Sequence, residues 1–95
     1  MRPTKSTSQQ IENFLQQHPQ WRVQDDALCR EWLFKDFNAA FVFMQRVAEM
    51  AGQMDHHPDW RNVYNRVEIR LSAHDAGGIT KLDFELADAI NRLAG

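Results

Sequence analysis

Four histidines are the residues of this chain best suited to moving protons, and three of them stand near the ends of predicted elements. His56 and His57 are adjacent at the end of the longest predicted helix, and His74 comes just before a glycine turn. His18 lies in a different loop and is interpreted as unrelated. Because the unperturbed pKa of histidine is about 6.5, the first three side chains could give and take protons at neutral pH.

Residue types alone leave three interpretations of His56, His57 and His74 open. They could be surface loop histidines without a role. They could bind zinc, which neutral imidazoles suit, although adjacent residues supply convergent geometry awkwardly and no carboxylate stands at helical ligand spacing from the pair. They could act in general acid–base catalysis without a metal or other cofactor. We expect neither a metal nor a cofactor.

Other residues with chemical potential have plain structural explanations. Asp83 stands three residues after Thr80, so a capping box at the start of a helix accounts for it, and we expect it to belong to the scaffold. Trp60 and Tyr64 could stack on a flat heterocycle, but residue type alone favours ordinary core aromatics.

Length and composition limit the class of protein. The 95 residues have room for one domain, predicted over residues 1–95, and a chain of this size buries roughly 60% of its unfolded surface. The formal charge of −2, with acids and bases interleaved, excludes a basic surface for nucleic acid. The only cysteine is Cys29, and no stretch resembles a signal sequence or a membrane span. We therefore expect a cytoplasmic protein without nucleic-acid or membrane partners.

Periodicity predicts the elements that would position these side chains. A short helix carries Ile11, Phe14 and Leu15, with a capping box of Thr7 and Gln10. The remaining elements are strands at 21–24 and 28–34, a helix at 37–54 capped by Asp36, a polar loop at 55–61, an extended stretch at 62–73, a turn at 75–78 and a helix at 80–95. It is left open whether Val63 and Tyr64 belong to a separate strand. This order predicts an α+β domain with helices on one face of an antiparallel sheet.

The long helix has more apolar surface than one sheet needs. Two stripes lie side by side, the first with Phe37, Phe41, Met44, Ala48 and Ala51 and the second with Ala40, Phe43, Val47, Met50 and Met54. We expect the spare stripe, Phe43, Val47, Met50 and Met54, to contact another subunit. The alternative is that the N-terminal helix covers it within one chain.

Several motifs together resemble one protein family. The segment 55–65 (DHHPDWRNVYN), with FKDF at 34–37 and LSAHDAGG at 71–78, is similar to the pterin-4a-carbinolamine dehydratases from Trp21 onward. The family pattern of His-His-Pro, aromatic, His and Asp falls on residues 56–58, Tyr64, His74 and Asp83. Gly52 departs from the charged residue or histidine usual four places before the first His, and Ala73 replaces a frequent threonine.

The resemblance implies three helices packed on one face of a four-stranded antiparallel sheet, in a homodimer or homotetramer formed through sheet edges and the long helix. It implies dehydration of 4a-hydroxytetrahydrobiopterin, or a related pterin, to quinonoid dihydropterin and water in tetrahydropterin recycling, without a cofactor. A functional link to an aromatic amino acid hydroxylase would follow. Alternatives are a non-catalytic dimerisation partner of a transcription factor, a pterin enzyme of molybdenum-cofactor metabolism and an inactive homologue.

The resemblance also assigns roles to residues. His56 and His74 would handle protons at the substrate hydroxyl, and His57 would orient or bind the pterin. The ring-binding pocket would be lined by Asp55, His56, His57, Ser72, Ala73, His74 and Asp75.

Overall fold

The computed structural model describes residues 4–94 and resolves the predicted elements into helices and strands. In chain order they are α1 (Ser8–Gln17), β1 (Arg22–Gln24), β2 (Ala27–Leu33), α2 (Phe37–Met54), β3 (Asp59–Val63), β4 (Arg66–Leu71), a 3₁₀ turn (His74–Ala76) and α3 (Lys81–Ala94). Gly95, the predicted end of the last helix, lies outside the described residues. None of the helices in residues 4–94 has the length and apolarity needed to cross a bilayer.

The strands form one antiparallel sheet in the order β1-β2-β4-β3. Its central pairs, Leu28 with Leu71 and Trp32 with Val67, turn one face toward the helices. That face is buried, whereas the alternate positions carry charged side chains such as Glu31 and Glu68. Over residues 4–94 the predicted α+β fold, with three helices against a four-stranded antiparallel sheet, is confirmed.

Cys29 is an exception to this alternation, because it lies on the face of the sheet that carries the charged side chains. The Cys29 side chain is fully buried although it points away from the helices, because Arg70 lies over it with Nη1 3.5 Å from Sγ. Burial raises the pKa of this thiol above its ordinary value, with the positive charge of Arg70 acting in the opposite direction.

The stretch between α2 and the glycine turn differs from the prediction. The prediction of a polar loop at 55–61 followed by one extended stretch at 62–73 was wrong. Asp59 already begins β3, and the chain reverses at Tyr64, which has a φ of 53°. Asn62 stabilises the reversal by donating its side-chain N–H groups to the carbonyls of Tyr64 and Arg66, at 3.0 and 2.9 Å. The open question about Val63 and Tyr64 is thereby settled: Val63 ends a separate strand.

The helix starts follow the predicted caps. Thr7 and Gln10 exchange the two hydrogen bonds of a capping box, and Asp36 accepts a hydrogen bond from the backbone N–H of Ala39 at 2.8 Å. Each cap satisfies backbone donors that a helix start leaves without partners. Asp36 thus fixes where α2 begins. The length of α2 then determines the position of the residues that follow its C-terminal end.

The spare stripe of α2 packs in the core, whereas the first stripe is divided between the exposed Phe37 and Phe41 and the buried Ala51. Phe43 and Val47 are buried in the core, where the Phe43 ring lies 5.0 Å from both the Trp32 and Phe34 rings. Met50 and Met54 pack against the same core. The prediction of a subunit contact through Phe43, Val47, Met50 and Met54 was therefore wrong. The exposed apolar side chains of α2 are Phe37, Phe41 and Val42. Both stripes are apolar in sequence, and only the packing partners distinguish them.

We expect Phe43→Ala to lower the free energy of unfolding by about 3–5 kcal/mol, because it leaves a cavity between the sheet and α2. Phe41→Ala removes the same atoms from a half-exposed position on the same helix, so within one subunit it should cost less than about 1 kcal/mol. Urea denaturation followed by tryptophan fluorescence, repeated at several protein concentrations, separates this loss from that of a subunit contact, which depends on concentration. Equal, concentration-independent losses would contradict this orientation of α2.

Candidate active site

Two chain segments meet at one end of the sheet and line an open pocket of about 300 Å³. The first follows α2, whose C-cap residue Asp55 adopts the left-handed conformation, with φ 51°. The second follows β4 and leads into the 3₁₀ turn. The structure brings together all seven predicted site residues, since the pocket is lined by Asp55, His56, His57, Ser72, Ala73, His74 and Asp75.

His56 is the buried member of the group, with 6% of its surface exposed. Its backbone N–H donates to the carbonyl of Ala51 at 3.0 Å, which ties it to the last turn of α2. Its Nε2 is hydrogen-bonded to Oδ1 of Asp83 at 2.5 Å. Because Nε2 is engaged, Nδ1 is the ring nitrogen that remains available to a ligand.

Asp83 therefore does more than the scaffold role predicted for it. Its Oδ2 accepts a hydrogen bond from the backbone N–H of Thr80 at 2.8 Å, as a capping acid does, while Oδ1 holds His56. The side chain is fully buried. The sequence contained a signal: Asp83 lies on the same helical stripe as the buried Leu86 and Ile90, and an acid on an apolar stripe requires a partner.

Burial raises the pKa of the Asp83 carboxyl above its ordinary value of 3.8, because a charged carboxylate is poorly solvated there. The hydrogen bonds from His56 and Thr80 act in the opposite direction, since they stabilise the ionised form. The result is a buried carboxyl whose negative charge is costly unless His56 shares a proton with it. An imidazole held in this way has a fixed orientation and tautomer, which general acid–base chemistry requires.

His57 and His74 are exposed on the pocket wall. Within residues 4–94 neither ring makes a hydrogen bond, so both are accessible to a ligand. The backbone fixes His74, because Ala73 and Gly78 pair across the loop with N–O distances of 2.8 and 3.2 Å. Gly77 allows this tight closure with a φ of 78°, a conformation that side chains disfavour.

The remaining candidates lie away from the pocket. His18 stacks on Phe14 at 4.4 Å and is hydrogen-bonded through Nδ1 to Asn91 at 3.0 Å, so its interpretation as unrelated fits the structure. Trp60 packs on the core, and Tyr64 is 63% exposed at the far end of β3, roughly 17 Å of strand from His57. Across residues 4–94, no group of three or more His, Cys, Asp or Glu side chains is placed to hold a metal ion.

Comparison with known proteins gives a consistent result. Residues 4–93 match the family model described as Pterin 4 alpha carbinolamine dehydratase. A protein of Rhodopseudomonas palustris is 50% identical over 91 residues, which cover 94% of this chain and 90% of its own. One of Prochlorococcus marinus is 44% identical over 84 residues, 88% of each chain. Both are named, provisionally, pterin-4-alpha-carbinolamine dehydratase. The resemblance seen in the sequence is confirmed.

Solved structures share the fold. A Brucella melitensis protein described as transcriptional coactivator/pterin dehydratase superposes with a TM-score of 0.93 at 38% identity, covering 97% of this chain and all of that one. A pterin dehydratase-like protein, identified as a RuBisCO assembly factor in the α-carboxysome, gives 0.65 at 20% identity, covering 79% of this chain and 87% of its own. The second likeness shows the fold alone.

Asp83→Asn should separate the stability of the site from its chemistry. The amide still accepts from the Thr80 N–H but carries no buried charge, so at pH 7 we expect the thermal midpoint to be unchanged or higher. Since the folded-state pKa of Asp83 is raised, the wild type loses stability as pH rises from the ordinary value of 3.8 through the folded pKa. The stability advantage of Asp83→Asn should therefore grow over that window and then level off. A midpoint that drops at neutral pH would contradict the costly-charge account.

Proposed function

Because the chain belongs to the pterin-4a-carbinolamine dehydratase family, we propose that it is a hydro-lyase that converts a 4a-hydroxytetrahydropterin into quinonoid dihydropterin and water. The observation that carries the proposal is the pocket in which a buried Asp83–His56 pair lies beside the exposed rings of His57 and His74. Three imidazoles around one cavity of about 300 Å³ suit a flat heterocycle that must exchange two protons.

The reaction requires two coordinated proton movements. The C4a–O bond breaks as the hydroxyl is protonated and leaves as water, while the N5 lone pair forms a double bond to C4a and N5 loses its proton. One acid near the hydroxyl and one base near N5 are sufficient. Solvent in the open pocket would accept the N5 proton, so that the proton given to the hydroxyl and the proton released from N5 balance over the cycle. Each positioned transfer typically contributes about 10²- to 10⁴-fold to the rate.

We assign proton transfer at the substrate hydroxyl to His56 and His74. His56 would act through Nδ1, since Nε2 is bonded to Asp83, and this hydrogen bond would hold the ring in one orientation. His74 would reach the hydroxyl from the opposite wall of the pocket. His57, accessible at the end of α2, would orient the ring, and the backbone around Asp55, Ser72, Ala73 and Asp75 would line its edge.

Cellular context and assembly extend the proposal. We expect a cytoplasmic enzyme of tetrahydropterin recycling that acts after an aromatic amino acid hydroxylase. We expect a homodimer or homotetramer formed through a sheet edge and the long helix. The helical contact is now assigned to the exposed Phe37, Phe41 and Val42 rather than to the buried stripe of α2.

Loss of a site histidine should lower turnover by about 10²- to 10⁴-fold. His56→Gln is preferred to alanine, because the amide can still donate to Asp83 and the buried carboxyl keeps a partner. His74→Ala removes an exposed ring and should not disturb the fold. The measurement is the absorbance decay of freshly generated 4a-hydroxytetrahydropterin relative to the spontaneous rate.

His18→Gln is the matched control for these variants, because it removes a histidine that lies outside the pocket. It should retain wild-type turnover. If the wild type does not exceed the spontaneous rate, the dehydratase proposal fails. If His56→Gln and His74→Ala both stay near wild type, the assignment of the protons fails while the activity stands.

Gly52 offers a gain-of-function test. It lies exposed in α2, and a side chain there would meet no atom within 4 Å. Gly52→Gln should stabilise the helix by about 0.5–1 kcal/mol, and Gly52→Glu by less, because a negative charge near a helix C-terminus is unfavourable. If a charged group at this position assists dehydration, Glu but not Gln raises kcat, which is the result we expect. Equal rates in the two variants would show that the charge has no role.

A further inference from the structure

A chain of hydrogen bonds leads from the segment before α1 to the imidazole of His56. The backbone N–H of Ser6 donates to the carbonyl of Ile79 at 2.7 Å. This carbonyl belongs to the same peptide group as the N–H of Thr80, which donates to Oδ2 of Asp83 at 2.8 Å. The other carboxylate oxygen of Asp83 holds His56. Because a peptide group is planar, Ser6 on one side and Asp83 on the other fix its orientation.

The segment before α1 lies close against this peptide group. Ile79 is buried, so its carbonyl would be left in an unfavourable state if it lost the hydrogen bond from Ser6. Lys5 covers the neighbouring residue, since its Cε would lie 2.9 Å from a Cβ added to Gly78. Lys5 and Ser6 thus contact two consecutive residues of the connection between the His74 loop and α3.

Helix α1 holds Ser6 in place and adds a second contact beside Asp83. Thr7, the residue after Ser6, forms the capping box that ends the extended segment at a defined point. Two turns further along α1, the Phe14 ring stacks on the Phe84 ring with their centroids 4.8 Å apart. Phe84 directly follows Asp83 in α3. The start of α3 is therefore held on both sides of the buried acid, by a hydrogen bond and by an aromatic contact.

We infer that Ser6 and Phe14 are positioning residues for the reaction, an inference that rests on the proposed function. Neither residue lines the pocket, so each acts through Asp83, whose position determines the orientation of the His56 ring. The hydrogen bond from Ser6 has a further effect. Hydrogen bonds in a chain polarise one another, so the N–H of Thr80 becomes a better donor to the carboxylate. Helix α1 and the segment before it thus support the active site from outside.

The first measurement is the rate at which the proton between His56 Nε2 and Asp83 exchanges with water, followed by NMR of ¹⁵N-labelled protein. It needs no substrate, and burial makes the exchange slow in the wild type. Ser6→Pro removes the N–H that donates to Ile79 and should accelerate the exchange by about tenfold. Ser6→Ala keeps this N–H and is the matched control, which should exchange as slowly as the wild type.

Phe14→Leu tests the second contact and leaves the backbone before α1 unchanged. It removes the ring that stacks on Phe84 but keeps an apolar side chain, and it should accelerate the exchange by about three- to tenfold. Leu15→Ala is its control, because Leu15 packs on the core from the same helix without stacking on Phe84. Phe14→Leu decides the inference by itself if Ser6→Pro does not fold.

The second measurement is turnover of 4a-hydroxytetrahydropterin. In Ser6→Pro and Phe14→Leu, kcat should fall by about tenfold while KM changes by less than about threefold, because a displaced His56 transfers its proton less well. Ser6→Ala and Leu15→Ala should keep the wild-type kcat at temperatures where they are folded.

Wild-type exchange of the His56 proton in both Ser6→Pro and Phe14→Leu would overturn the inference. So would an equal acceleration and an equal loss of kcat in Leu15→Ala, which would reduce the contact to general stability. If the wild type does not accelerate dehydration, the proposed function fails, and the exchange rates still show whether Ser6 and Phe14 hold the pair of Asp83 and His56.

Discussion

The contact between His56 and Asp83 is the interaction on which the rest of the site depends. It joins the end of α2 to the start of α3, two points 27 residues apart in the chain. Both partners are buried, so neither can turn to solvent without exposing the other as an uncompensated polar group. The pair thereby fixes the exit of α2, and the exit of α2 fixes where His57 and Asp55 lie.

The opposite wall is rigid for a different reason. His74 begins a loop that is closed by the backbone pairing of Ala73 with Gly78, and Gly77 supplies the one strongly turned residue. Among the described residues no side-chain hydrogen bond holds the His74 ring, which is exposed and accessible. One wall of the pocket thus holds its imidazole by a side-chain hydrogen bond, whereas the other fixes only the backbone that carries the imidazole. This difference is compatible with the proposed roles of His56 and His74 in proton transfer at one substrate.

Sequence reasoning succeeded where the information is local. The caps at Thr7 and Asp36 are short-range patterns. The pocket residues could be predicted together because the resemblance to the family falls on two contiguous segments that carry the three histidines. It failed where the answer depends on what packs against a residue. The two stripes of α2 are equally apolar, so sequence could not show that Phe43 faces Trp32 while Phe41 faces outward. The reversal at Tyr64 contains no glycine that would have signalled a turn. Its stabilising side chain, Asn62, belongs to β3 and lies outside the turn. The roles of the individual histidines stay predictions.

The burial of Cys29 beneath Arg70 has a practical consequence. A thiolate is the reactive form of cysteine, and this thiol is both inaccessible and disfavoured from ionising, so alkylating reagents must wait until the sheet opens. The natural sequence thus contains a built-in reporter at the middle of β2, directly beside the strand that leads to His74. The rate at which Cys29 is alkylated therefore reports how often the sheet opens, rather than the reactivity of an exposed thiol. A ligand that binds beside β4 and stabilises the closed form would therefore register as slower labelling of a residue that it never touches.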